Sequence, residues 1–286
     1  MNSLTQKISS QPEKIRHFFN PVRIFVHLWQ YKHLITQLTK REILNRFKGS
    51  FLGLGWAFLQ PLLMLTVYTF VFSVIFKAKW GVSPDESRTT FALTLFMGMI
   101  TFNIFAEVAN MAPSLVLGNV NYVKKVVFPL EILPLVTFFN VLVNNLFSLL
   151  VLIVGIILTG HPLYWTILLL PMVWLPVMMF SLGFAYFLAS LGVFIRDINA
   201  SIGIITTVLF FMSPIIYPIT AIPEQYRFFC QLNPIAVFVD DARKVVLWGQ
   251  LPDLSWYMAD FTLALVVFTL GFIWFYKSKR AFADVL

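Results

Sequence analysis

The titratable residues of this 286-residue chain do not fall into the spacings of a familiar catalytic or metal site. No glycine-rich phosphate loop of the form G-x-x-x-x-G-K-[ST] occurs, so we do not expect the chain itself to hydrolyse ATP by that machinery. The four histidines, His17, His27, His33 and His161, never share the spacing at which two ligands meet one metal ion. We therefore predict no metal centre.

Asp240 and Asp241 are adjacent carboxylates that resemble a cation-binding pair, as in a metal site or a glycosyltransferase. Neighbouring side chains on a helix point about 100° apart, so these two carboxylates converge poorly on one ion. Arg243 and Lys244 follow immediately and can pair with them. We expect a solvated, charged helix face, with the shared cation site as the alternative.

Three acidic residues, Glu107, Glu131 and Asp260, interrupt or flank strongly apolar segments. A proton-coupled transporter needs ionisable relays near the middle of the membrane, whereas these three lie near segment ends. Their positions favour interfacial or helix-pairing roles. A secondary transporter is the disfavoured alternative.

The composition is that of an all-α integral membrane protein. Hydrophobic residues make up 59% of the chain, charged residues 12%, and the mean hydropathy is +0.81. A soluble domain carries about 25% charged residues, so soluble enzymes, disordered chains and coiled coils are excluded. Apolar segments of about 20 residues each can cross a bilayer. The sequence predicts six spans, at about 52–76, 91–111, 135–158, 163–194, 198–217 and 259–276, in a transmembrane domain covering 52–277. The long fourth span carries Pro171 and Pro176, so we expect it to be tilted or kinked.

Residues 1–51 hold nine Lys and Arg against two Glu. An apolar stripe there changes face midway, which is typical of a kinked amphipathic helix, or of two short ones, lying on the membrane surface. A solvated basic tail is the alternative. The first face comprises Tyr31, Leu34, Ile35 and Leu38, and the second Ile43, Leu44 and Phe47.

Residues 214–250 are neither a span nor an ordinary loop. Pro214, Pro218 and Pro223 break any continuous helix, and the charges at 240–244 forbid that stretch a place in hydrocarbon. Irregular backbone at membrane depth must be shielded by protein or water. We predict a half-inserted hairpin of two short helices between spans five and six.

Lys and Arg counts orient the six spans. With the N-terminus inside, the inner segments hold 15 of these residues and the outer segments 6. Because cytoplasmic loops are enriched in Lys and Arg, we expect residues 1–51 and the tail 278–286 to be cytoplasmic and the hairpin to be external.

Three blocks resemble the permease subunits of type-2 ABC exporters of polysaccharide, which carry O-antigen, capsule and teichoic acid chains. They occur in the family's order between about residues 40 and 250. The first runs from Lys40 to Leu62 and includes Trp56 and Gln60-Pro61; the second runs from Asn119 to Pro134 and includes Lys124-Lys125 and Phe128-Pro129; the third comprises Ser213–Pro218, Ile222–Arg227 and Leu232–Pro234.

The resemblance implies an ATP-driven exporter of a lipid-linked cell-surface polysaccharide, such as O-antigen, in the bacterial inner membrane. It implies a homodimer of this chain with two copies of a separate nucleotide-binding subunit, which would hold ATP and magnesium, while this chain would hold no cofactor and bind no nucleic acid. The alternatives are a membrane-embedded transferase acting on polyprenol-linked sugars, which would need convergent His and acidic groups, and a passive channel or scaffold.

Under this resemblance, three sets of residues become candidates for function. The loop 114–127 has a position and composition suited to docking on the ATPase, although a simple positive-inside anchor would have the same charges. The hairpin would be an exit gate or, alternatively, a static cap. The candidates are, for ATPase coupling, Lys124, Lys125, Phe128, Pro129, Glu131, Arg41, Glu42 and Arg46; for the translocation path, Trp56, Tyr68, Phe210 and Phe211; and for the gate, Pro214, Tyr217, Pro218, Pro223 and Tyr226.

Overall fold

A computed structural model describes residues 18–76, 80, 88–124 and 128–286, and every regular element in this part of the chain is helical. Short 3₁₀ turns link several helices, and π-helical turns continue α3 over Thr69–Ile75 and α11 over Lys244–Trp248. The α-helices are α1 Pro21–Trp29, α2 Lys32–Phe47, α3 Trp56–Tyr68, α4 Arg88–Met111, α5 Val120–Lys124, α6 Leu133–Leu158, α7 Leu170–Val173, α8 Leu175–Phe194, α9 Ile198–Met212, α10 Glu224–Gln231, α11 Pro234–Arg243, α12 Leu254–Ser278 and α13 Phe282–Val285.

Five helical stretches in the described residues are long and apolar enough to cross a membrane, and they coincide with five of the six predicted spans. The predicted fifth span contains α9, which is apolar but has only 15 residues. At 1.5 Å per residue it is about 22 Å long, against about 30 Å of hydrocarbon. A sixth span therefore stays a prediction. The five stretches are Gly53–Phe72, Thr89–Ser114, Leu130–Leu158, Trp165–Phe194 and Leu254–Val285.

The predicted fourth span is broken where its prolines lie. Pro171 and Pro176 each sit in the first turn of a helix, α7 and α8 respectively, and Trp174 separates the two. Proline lacks an amide hydrogen and is tolerated in a first turn, where that group has no partner inside the helix. The kink expected from these prolines is confirmed.

Helix α4 lies at the centre of the bundle and α3 lies at its edge. In the most apolar stretch of Thr89–Ser114, 83% of residues are buried, against 6% for Gly53–Phe72. The neighbours of α4 are α3, α6, α8, α9 and α11. Most of the apolar surface of α3 is thus left uncovered by this chain.

The closest helix pair is α8 with α12, whose backbones meet at two glycines. A Cβ atom added to Gly183 would lie 2.6 Å from the carbonyl carbon of Val267, and one added to Gly271 would overlap the carbonyl of Gly183. Small residues allow this direct approach of two helices in a membrane.

The N-terminal helices and the hairpin lie at opposite ends of the bundle. Helix α1 follows Phe18, whose ring packs 4.6 Å from that of Tyr276 near the end of α12. Ile35 and Leu38 of α2 pack at the start of α6. At the other end, the hydroxyl of Thr166 before α7 donates to the carbonyl of Val245 at 2.6 Å.

Helix α2 is continuous over Lys32–Phe47, and the break in the N-terminal region falls at residues 30–31. The predicted change of apolar face midway along 31–47 is therefore not accompanied by a kink. One face of α2 is covered by α6.

Gly271→Ala should destabilise the protein by about 1–3 kcal/mol, because a methyl group there overlaps backbone that cannot move aside without separating α8 from α12. Gly203→Ala is the matched control, since its nearest neighbour atom would be 3.7 Å away. Alanine favours a helix over glycine, so the control should be neutral or stabilising. Thermal unfolding of the purified variants measures both, and equal midpoints would show that the glycine contact is unimportant.

Candidate functional site

The hairpin has two arms joined by an asparagine. The first arm, residues 214–232, contains a 3₁₀ turn at Ile219–Ala221 and α10; the return arm, residues 233–249, contains α11 and its π-helical extension. The side chain of Asn233 accepts a hydrogen bond from the amide of Ile235, which caps α11, and donates to the hydroxyl of Ser213 at 2.9 Å. One residue thus fixes where the return arm starts.

Arg243 is one of the two most buried charged residues described, with 2% of its surface exposed. Its guanidinium donates three hydrogen bonds to main-chain carbonyls, at 2.9 Å to Thr94, 2.7 Å to Pro214 and 2.7 Å to Ile215. It also lies 4.3 Å from the centre of the Trp80 ring. Burial lowers the pKa of Arg243 to about 9, partly opposed by Asp240, so it stays charged at neutral pH.

The expectation of a solvated charged face at 240–244 is wrong for Arg243 and for Asp241, both of which are buried. Lys244 does pair with the two carboxylates, at 2.8 Å to Asp240 and 3.1 Å to Asp241. Burial raises the pKa of Asp241 to about 6, against the lowering effect of Lys244. Arg243 makes no such pair within the described residues because its side chain turns inward to the carbonyls of α4 and of the first arm.

The gate candidates are distributed along the first arm. Pro214 is bound through its carbonyl to Arg243, and the hydroxyl of Tyr217 donates to the carbonyl of Phe211 at 2.6 Å. Pro218 and Pro223 begin the 3₁₀ turn and α10. Tyr226 is 53% exposed. The structure thus ties the beginning of the arm to the bundle and leaves Tyr226 on the surface.

At the opposite end of the bundle, Glu131 joins segments from four parts of the chain. Its carboxylate lies 3.1 Å from Nε2 of His27 in α1 and 2.9 Å from the ammonium of Lys279 after α12. The hydroxyl of Tyr186 in α8 donates to its carbonyl at 2.9 Å. Glu131 is 2% exposed, so its carboxylate is not available for direct contact with a partner protein.

Other coupling candidates form one surface at this end. The guanidinium of Arg41 in α2 donates to the hydroxyl of Tyr122 in α5 at 3.2 Å, and the Tyr122 ring stacks on Phe128 at 4.3 Å. Lys124 ends α5 and is exposed. Pro129 leads into the 3₁₀ turn Leu130–Ile132, and Lys125 lies outside the described residues. Helix α2 and the loop between α4 and α6 are thus brought together.

Glu42 and Arg46 face a cavity of about 650 Å³ between α2, α4 and α6. Burial raises the pKa of Glu42, opposed by the charge of Arg41. Arg46 lies 3.9 Å from the carboxylate of Glu107. A second cavity of about 210 Å³ shares Arg46, Asn103 and Glu107 with the first and reaches Tyr68 on α3. We call the two together the polar cleft.

Sequence reasoning missed most of the polar cleft. Asn103, Glu107 and Asn110 are spaced i, i+4 and i+7 on α4, so they share one face of an apolar helix. Asn140 and Asn144 face them from α6, and their Oδ1 and Nδ2 atoms, respectively, have no hydrogen-bond partner among the described residues. The repeated asparagines in apolar segments were the available signal, because polar groups within a membrane are costly and usually functional.

The four path candidates do not gather into one lining within a single chain. Tyr68 faces the polar cleft and the ring of Phe210 packs 5.3 Å from that of Phe102 in α4. Trp56 and Phe211 are 41% and 57% exposed. Trp56 lies on α3 and Phe211 on α9, the two helices at the edge of the bundle.

Curated proteins of known role match nearly the full length of this chain. An O-antigen export system permease protein RfbA from Myxococcus xanthus is 28% identical over 266 residues, covering 92% of this chain and 99% of that protein. An RfbA from Klebsiella pneumoniae is 24% identical, covering 88% and 95%. The polysialic acid transport protein KpsM from Escherichia coli is 28% identical, covering 81% and 89%.

A model of the family described as ABC-2 type transporter matches residues 33–247, which include α2, the loop carrying Lys124, the polar cleft and the hairpin as far as the π-helical turn. That match spans well over half of the chain and includes every residue that the sequence nominated for ATPase coupling, the path or the gate. The chain belongs to the ABC-2 type transporter family.

Proposed function

We propose that this chain is the membrane-spanning permease of an ATP-driven exporter of a lipid-linked cell-surface polysaccharide. The observation that carries the proposal is the match, over 92% of this chain and 99% of the relative, to an O-antigen export permease. Because the related proteins are named as permeases and transport proteins, the transferase alternative is set aside. O-antigen and capsular chains are both represented among those relatives.

A homodimer is proposed because one copy provides no path. The interior around α4 is filled with side chains, whereas α3 is almost uncovered. A second copy facing α3 and α9 would cover Trp56 and Phe211 and enclose the polar cleft, whose asparagines offer hydrogen bonds to sugar hydroxyl groups. The seam between copies would then be the route of the glycan.

The orientation in the membrane follows from the charge count. We place the end with α1, α2 and Lys279 in the cytoplasm and the hairpin outside the bacterial inner membrane. Helix α9, together with the start of the hairpin, would form the sixth span. Helix α1, which exposes Val22, Val26 and Trp29, would lie on the inner surface as an amphipathic helix, with α2 beside it. In this arrangement the cleft opens toward the side from which a lipid-linked substrate arrives.

We propose that the hairpin is a gate, with Pro214 at the fixed base of its first arm and Tyr217, Pro218, Pro223 and Tyr226 along the part that moves. The support is the contrast between an anchored return arm and a first arm that exposes Tyr226 in α10 and Leu232 directly after that helix. A static cap over the dimer's outer face is the alternative.

Loss of this chain should abolish surface polysaccharide while full-length lipid-linked glycan accumulates inside the cell. Deletion, followed by complementation with the wild-type gene, checks this by immunoblotting of surface and whole-cell glycan. A deletion strain lacking the polymer altogether would support the transferase alternative. Surface polysaccharide at wild-type amounts would contradict the export function.

We propose that the loop 114–127 docks on two ATPase subunits, one per copy, with Lys124 and Lys125 meeting an acidic rim. Replacing both lysines by glutamate should slow association about tenfold and make it more sensitive to salt, since rim charges act mainly on association rate. Association of the purified permease with its ATPase at two salt concentrations measures this.

The matched control is Arg196→Glu, an exposed charge in the other proposed cytoplasmic loop. This substitution reverses one positive charge on the proposed cytoplasmic side but leaves the loop 114–127 unaltered, so association with the ATPase should be unchanged. If the lysine double variant behaves as this control does, and export continues, the lysines are only topological anchors.

A further inference from the structure

A cavity of about 390 Å³ lies between the hairpin and the start of α12, apart from the polar cleft. Its volume is within the range of pockets that hold small ligands, about 300–1,000 Å³. Tryptophans and charged groups together form its lining, in which the key residues are Trp248, Trp256, Asp240, Asp241, Asp253 and Lys244.

The walls of this cavity are held in place before any ligand arrives. Asp253 accepts hydrogen bonds from the amides of Ser255 at 2.9 Å and Trp256 at 3.3 Å, which caps α12 and fixes the backbone that carries Trp256. Trp248 ends the π-helical turn, and Gly249 follows with a φ of 65°, a conformation suited to glycine. Such preorganisation lowers the entropic cost of binding.

The charges of the lining select against ionic ligands. Asp240, Asp241 and Asp253 line the cavity, and among the described residues the two lining cations are already engaged, Lys244 with Asp240 and Asp241 and Arg243 with three main-chain carbonyls, so an added anion would have to displace one of these partners. An ammonium ion would lie against Lys244, and the face of Trp80, a further wall, is taken by the Arg243 guanidinium at 4.3 Å. A neutral ligand with many hydroxyl groups avoids both conflicts.

We propose that this cavity binds a neutral pyranose unit of the exported glycan. The carboxylate oxygens accept hydrogen bonds from sugar hydroxyl groups, and the tryptophan rings, with their negative faces, pack on the C–H face of the sugar. This inference rests on the proposed function, which supplies the glycan and places the hairpin at its exit.

The test is saturation-transfer NMR on the purified full-length permease, with the methyl glycosides of glucose, mannose, galactose and N-acetylglucosamine as probes. We expect at least one to bind with a Kd of about 1 mM, as for a single small unit in a shallow pocket. Trp256→Ala should weaken that binding about tenfold or more. Asp253→Asn should also weaken it, while retaining the helix cap because Asn caps as well as Asp.

The matched control is Trp165→Ala, which removes a 68% exposed tryptophan at the same end of the bundle but outside the cavity. Its binding should equal that of the wild type, and thermal unfolding should show all three variants folded. The proposal would be overturned if none of the four glycosides showed saturation transfer, or if Trp256→Ala bound them as well as the wild type does. So would binding of phosphocholine in their place, which would indicate a lipid-headgroup site.

The binding measurement needs neither ATPase nor transport, so it separates the cavity from the export function. Pyranose binding by a chain whose deletion leaves surface polysaccharide intact would refute export and leave the sugar site standing. If deletion of the chain abolishes surface polysaccharide but no glycoside binds, the sugar site is refuted and the export function is not.

Discussion

The guanidinium of Arg243, bound to three carbonyls in the interior, is the constraint on which the position of the hairpin depends. Removing such a charge from water costs several kcal/mol, and hydrogen bonds of good geometry must offset it. Two of the acceptors, Pro214 and Ile215, begin the first arm, and the third, Thr94, is on the central helix α4. Gly98 leaves the necessary space, since a Cβ there would lie 2.9 Å from Cζ of Arg243. The absence of a side chain at Gly98 in α4 thus makes room for the Arg243 side chain of α11.

This anchor divides the molecule into fixed and less restrained parts. Arg243 secures the return arm at one end of α4, and the Glu131 cluster secures α1 and the end of α12 to α8 at the opposite end. Between them, α4, α8 and α12 form the enclosed part of the bundle, while α3 and α9 lie at its edge. In the proposed homodimer, with its path between two copies, this division would leave the fold to the enclosed helices and place the exposed helices α3 and α9 at the seam.

Much of the architecture was predictable because it follows from composition and local chemistry. The length of apolar stretches located five candidate spans, and Pro171 and Pro176 located the break before α8. The prolines and charges of 214–250 indicated two short helices where the structure has α10 and α11. These features depend on neighbours along the chain, which the sequence displays directly.

The functional contacts were less predictable because they join distant residues. Local spacing suggested that Arg243 pairs with Asp240 or Asp241, but tertiary packing directs it to a carbonyl 149 residues away. Glu131 likewise meets His27 and Lys279, which no helical spacing relates. The path aromatics were taken from a family resemblance, and only Tyr68 faces the polar cleft. In each case the missing information was which helices pack together.

The central claim is that a hairpin anchored through Arg243 opens along its first arm to release a polysaccharide. Crosslinking Tyr226→Cys between two copies, in a Cys230→Ser background and after assembly with the ATPase, tests it most directly. We expect a bifunctional maleimide to stop export while the complex stays assembled, and a monofunctional maleimide at the same site to leave export unchanged. Undiminished export from fully crosslinked protein would show that the hairpin is a static cap.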